Sequence, residues 1–82
     1  MSIESIRKEI DAVDDELVAL LKARFDLSVA MGEEKKRLNR PVYDAEREGL
    51  LLLRLEKEGA PYGGQVRALY EKIMELSRKL QR

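Results

Sequence analysis

The 82-residue sequence contains no cysteine, no histidine and no tryptophan. These absences exclude disulfide bonds, thiolate nucleophiles, Ser-His-Asp arrangements, a histidine general base and the common zinc sites. Aromatic residues make up only 5% and prolines number two, poor material for a β-sheet, which favours aromatic and β-branched side chains. No apolar run approaches the ~18 residues of a membrane span. The opening MSIESIRKEI has no apolar leader stretch, so a cytoplasmic protein is expected. An excess of either charge is missing too, because 16 Lys and Arg balance 16 Asp and Glu. Nothing in that balance favours nucleic acid or an acidic membrane surface, so any electrostatic function must be local.

What is present is the composition of stable helices: 39% charged and 44% hydrophobic residues. The length corresponds to one domain over residues 1–82. A domain of this size buries only about 60% of its unfolded surface, so association is a simple remedy for a small core.

The apolar residues Ile3, Ile6, Ile10, Val13, Leu17, Leu20, Leu27, Met31 and Leu38 recur at steps near three and four, the seam of a long helix. Ser2 can cap its start. Glu4 and Glu9 sit near the positive end, and Lys35, Lys36 and Arg37 near the negative end. Asn39-Arg40-Pro41 breaks the helix, because a residue before proline is pushed out of the helical region. Asp44 is the next N-cap, a second helix is expected from Ala45 to Lys57, and Gly59 with Pro61 ends it. Gly63-Gly64 reads as further loop. Val66, Leu69, Ile73, Leu76 and Leu80 then mark a third helix from about Gln65. The expected fold is all-α, with three helices per chain, one long and two shorter. The first helix would be about 50 Å long, more than two shorter helices of one chain can cover. Its stripe therefore predicts a homodimer in which two long helices pack along each other, most simply as a two-fold pair.

The informative residues are charges that interrupt the stripes. Continuing the seam of Ile3, Ile10 and Leu17 by sevens reaches Arg24, before Met31 and Leu38. Arg7 and Lys35 flank the same stripe in equivalent heptad positions, with Ser28 between them. Arg47 and Glu48 open the second helix beside Asp44. On the third, Ser77 and Gln81 share a face with Met74 and Tyr70. Singly, each has an ordinary explanation: a snorkelling or register-fixing arginine, solvated first-turn charges, a tolerated helix serine, a terminal glutamine. Together they suggest an anion site. Arg7 and Arg24 are separated by about 25 Å of helix, so they can share a small ligand only across a dimer. Arg24 and Lys35 are separated by about 16 Å, which two long side chains can close around a small dianion.

The set Arg7, Arg24, Lys35, Asp44-Ala45-Glu46-Arg47-Glu48, Ser77 and Gln81 resembles the all-helical AroQ-type chorismate mutases. The stretches IRKEIDAVDDELVALLKAR, MGEEKK and NRPVYDAERE are similar to the first two helices of that family. The resemblance implies rearrangement of chorismate to prephenate, with no cofactor and no metal, in two equivalent sites of an intertwined homodimer of three-helix chains. It implies that Arg24, Lys35, Arg47, Glu48, Ser77 and Gln81 come from one chain and Arg7 from the other. Arg7 and Arg24 would clamp carboxylates, and Lys35 and Gln81 would donate to the ether oxygen. Glu48 and the backbone near Asp44 would hold the ring hydroxyl, Ser77 would help place the substrate, and Met31, Leu51 and Met74 would form apolar wall. Two features depart from this pattern. Gln81 lies one residue from Arg82, where a frayed end is expected. Gly49 stands inside the second helix, where glycine costs about 1 kcal/mol relative to alanine. Two alternatives stay open: an isochorismate-pyruvate lyase of the same fold, told apart by release of pyruvate from isochorismate, and a non-catalytic helical dimerisation module, which would tolerate Arg24→Leu.

Overall fold

The computed structural model describes every residue from Met1 to Arg82. Helix α1 spans Ile3–Arg37, α2 spans Ala45–Glu58 and α3 spans Gly63–Gln81. Ser2 opens α1 with a capping box: its side chain accepts from the Ser5 amide, and the Ser5 hydroxyl oxygen accepts from the Ser2 amide, both at 3.0 Å. Two of the amides left without partners at a helix start are satisfied in this way. At the other end Asn39 takes a left-handed conformation at φ 55°, which asparagine tolerates better than most residues. The Arg40 amide turns back to the Lys35 carbonyl at 2.7 Å. Asp44 caps α2 through its Oδ1, which accepts from the Arg47 amide at 3.0 Å.

One boundary differs from the sequence reading. Gly63 and Gly64 form the first turn of α3 and are not loop. Packing decides this, because a Cβ at Gly63 would stand 2.6 Å from the Glu56 carbonyl oxygen. Glycine here lets the start of α3 close against α2, and its usual role as a helix breaker is overridden by that contact.

α3 is the central element. It packs against both α1 and α2, which make no close backbone approach to each other. The core is correspondingly small: Ile73 and Met74 are the buried hydrophobic side chains, beside Ser28 and Ser77. With 35 residues, α1 accounts for nearly the whole 54 Å length of the molecule. Its first half, residues 1–20, finds no cover within the chain. Ile3, Ile10, Val13 and Leu20 are between 51% and 69% exposed, which for a row of large apolar side chains marks an interaction surface. No helix is long and apolar enough to cross a membrane.

Candidate active site

The second half of α1, the linker, the start of α2 and the end of α3 surround a cavity of about 480 Å³. Arg24, Lys35, Asp44, Arg47, Glu48, Ser77 and Gln81 all line it, and Met31, Leu51 and Met74 supply apolar wall. Seven polar positions singled out on three helices thus come together. Arg7 is not among them. It lies exposed on the uncovered half of α1, about 25 Å along the helix from Arg24.

Lys35 is held at two points. Its Nζ donates to the Val42 carbonyl and to Gln81 Oε1, each at 2.7 Å. An ammonium has three hydrogens, so one remains for a ligand. Because Gln81 accepts through its oxygen, its amide NH₂ is left as a donor as well. Two donors therefore stand side by side at the wall of the cavity, and Gln81, expected to fray, is anchored. The C-terminal end of α3 reaches this position because α1 has a glycine beneath it. A Cβ at Gly32 would stand 2.6 Å from the Gln81 Cα and from its carbonyl oxygen.

Arg24 is fixed from α3. Its Nη1 donates to Ser77 Oγ at 2.8 Å, and its guanidinium carbon lies 5.6 Å from the centre of the Tyr70 ring. One guanidinium hydrogen out of five is engaged in this way, and the Ser77 hydroxyl keeps its own hydrogen free to donate. Ser28, one turn further along α1, is buried and donates back to the Arg24 carbonyl at 3.1 Å. No buried side-chain nitrogen or oxygen is left without a partner.

Three contributors were not legible in the sequence. Arg40, read there only as the residue before a proline, lines the cavity from the linker. Val42 contributes the carbonyl that holds Lys35. Arg78, on α3 next to Ser77, pairs with Glu48 through Nη1 and Oε1 and lies 5.0 Å from the Tyr43 ring centre. The hydrogen bond to Glu48 raises the Arg78 pKa above the ordinary guanidinium value. The only sign of this pair in the sequence is a cation one residue after a candidate site serine.

Four cations, Arg24, Lys35, Arg40 and Arg47, and two carboxylates, Asp44 and Glu48, line the cavity. The balance is positive in a chain whose total charge is zero. The arrangement suits a small dianion that also carries a hydroxyl and an uncharged acceptor.

An all-helical chain with a cation-lined cavity between the ends of its helices defines the class. The family described as chorismate mutase type II matches residues 6–82, and the chain belongs to that family. A bifunctional chorismate mutase/prephenate dehydratase of Aquifex aeolicus is 42% identical over 65 residues, covering 76% of this chain and 17% of the relative. The T-protein of Enterobacter agglomerans is 38% identical over 61 residues, covering 74% of this chain and 16% of its own length. The chain therefore spans about a sixth of the curated relatives it matches. A solved structure, described as a conserved hypothetical protein from Pyrococcus furiosus, is 39% identical and superposes with a TM-score of 0.84. That match covers 98% of this chain and 95% of the other.

Proposed function

We propose that residues 1–82 form a single chorismate mutase domain that converts chorismate to prephenate as a homodimer. The observation that carries the reading is the Lys35–Gln81 pair, in which Lys35 Nζ donates to Gln81 Oε1 at 2.7 Å and leaves the Gln81 amide NH₂ as a second donor, on the wall of a cavity also lined by Arg24 and Arg47. Chorismate is a dicarboxylate with an enolpyruvyl ether and a ring hydroxyl. Its rearrangement breaks the bond between ring carbon and ether oxygen while the enolpyruvyl methylene bonds to the ring. No nucleophile and no proton transfer are required, which suits a cavity without histidine or cysteine.

The first task is to select the folded, chair-like conformer in which the two reacting carbons meet. Arginine forks on the two carboxylates do this by fixing both ends of the molecule. Arg24, pre-positioned by Ser77, is one fork. Arg7 of the second chain is the other, brought in as the uncovered halves of two α1 helices pack along each other. Ser77 and Arg47 help seat the substrate, and Glu48 with the backbone at Asp44 holds the ring hydroxyl. The second task is to stabilise the charge that grows on the ether oxygen as it becomes enolate-like. The free hydrogen of Lys35 and the amide of Gln81 meet that oxygen, and because both are already fixed, little reorganisation is needed in the transition state. No cofactor or metal enters the scheme. As a step toward phenylalanine and tyrosine, the reaction belongs in the cytoplasm.

The test is loss of chorismate absorbance with purified protein, product identification, and Lys35→Ala beside it. Prephenate is expected, with a loss of a hundredfold or more in the variant while it stays folded, the scale on which a fixed donor to a developing oxyanion acts. Untouched chorismate would overturn the reading. Pyruvate released from isochorismate would then identify a lyase, and silence in both assays a dimerisation module.

A further inference from the structure

We propose that Arg78 is a positioning residue for this site, holding one oxygen of Glu48 and cancelling its charge so that the cavity accepts a dianion. The inference rests on the reading of the cavity as a dicarboxylate site.

Glu48 lines the cavity and Arg78 does not, so the guanidinium supports the carboxylate from behind. Arg78 engages Oε1, which leaves Oε2 to accept a hydrogen bond from a ligand hydroxyl. Two elements fix the guanidinium in turn: α3, where it follows Ser77, and the linker, where Tyr43 presents its ring 5.0 Å away. The pair therefore joins the linker, α2 and α3 at the point where all three meet the cavity. The charge effect follows from location. The Arg78 and Glu48 side chains are only 26% and 21% exposed, so water screens the carboxylate incompletely. Left unpaired, Glu48 would place a negative charge beside a ligand bearing two.

A structural tether between α2 and α3 is the competing role, and the two differ in what removal of the Glu48 charge does. Arg78→Met, Arg78→Lys, Glu48→Gln and the Glu48→Gln/Arg78→Met double variant are compared by chorismate turnover, with helical content and oligomeric state checked for each. Arg78→Met is expected to lower kcat/KM by tenfold or more, chiefly through KM, because repulsion acts on the bound substrate as well as on the transition state. Arg78→Lys, which keeps the charge, should restore most of the loss. The double variant should be more active than Arg78→Met alone, since an amide at position 48 still accepts a hydrogen bond and no longer needs a counter-charge. A tether would give a double variant no better than the single one. That result, or an Arg78→Met enzyme with unchanged KM, would overturn the inference while leaving the mutase reading intact. A wild-type protein inert toward chorismate would overturn both.

Discussion

Gly32 lies directly beneath Gln81: a Cβ added to the glycine would stand 2.6 Å from the glutamine Cα and 2.6 Å from its carbonyl oxygen. Both are backbone atoms, so no side-chain rotation can relieve the contact. Gly32→Ala is therefore expected to push the end of α3 off α1 and pull Gln81 from Lys35. Because alanine is the better helix former, α1 itself should persist. The measurement is chorismate turnover beside circular dichroism. We expect at least a tenfold fall in kcat with helicity retained, the signature of a displaced donor. Full activity would show that the backbone of α3 has room to shift without cost.

In the proposed scheme Gln81 also governs the response to pH. An amide donates at every pH, whereas a carboxyl donates only when protonated. The wild-type rate should therefore be nearly flat between about pH 6 and 8, the range in which unperturbed arginine and lysine side chains stay charged. The Arg78–Glu48 contact fits this expectation. Since the folded-state pKa of Arg78 is raised by its contact with Glu48, that contribution to stability is fully present across this range and fades on the basic side only in strong base. Gln81→Glu should convert the flat profile into one that rises as pH falls. Parallel profiles for the two proteins would remove Gln81 from the reacting oxygen.

Much of this was legible in the sequence because helices announce themselves by period. The stripe from Ile3 to Leu38, the caps at Ser2 and Asp44 and the stop at Gly59 each follow from local chemistry, and α1 and α2 lie within a residue of their expected bounds. The cavity residues were visible for the opposite reason. Arg24 breaks a core stripe, and such a break calls for a compensating partner. What escaped was set by contact between distant segments. Nothing near Gly63 in the chain announces the Glu56 carbonyl against which it packs. The pairing of Arg78 with Glu48 joins residues 30 apart, and no helical repeat brings such positions together.

Gly49 offers a test of stability apart from activity. It sits inside α2, and apart from its chain neighbours and the backbone of its own helix no atom lies within 4 Å of where a Cβ would stand. Gly49→Ala should then stabilise the fold by about 0.5 to 1 kcal/mol by restricting the unfolded chain. Chemical denaturation reads this directly, at constant m-value. Destabilisation instead would mean that another molecule packs closely on this part of α2.

Arg7 poses the question of how a site is completed. It lies on the uncovered half of α1, about 25 Å along the helix from Arg24, while every other site residue of the proposed scheme faces one cavity of its own chain. If each cavity borrows Arg7 from a second chain, the chains Arg7→Ala and Arg24→Ala are each inactive alone. Mixed after unfolding, they form heterodimers in which one cavity carries both defects and the other carries none. Equal mixing should restore about a quarter of the wild-type specific activity, since half the dimers are mixed and each has one intact site. Subunit exchange must be shown in parallel, by mass spectrometry of the mixed dimers. Exchange without recovered activity would show that Arg7 serves its own chain or none, and the carboxylate clamp would then have to be sought elsewhere, with Arg40 and Arg47 the remaining free-standing cations of the cavity.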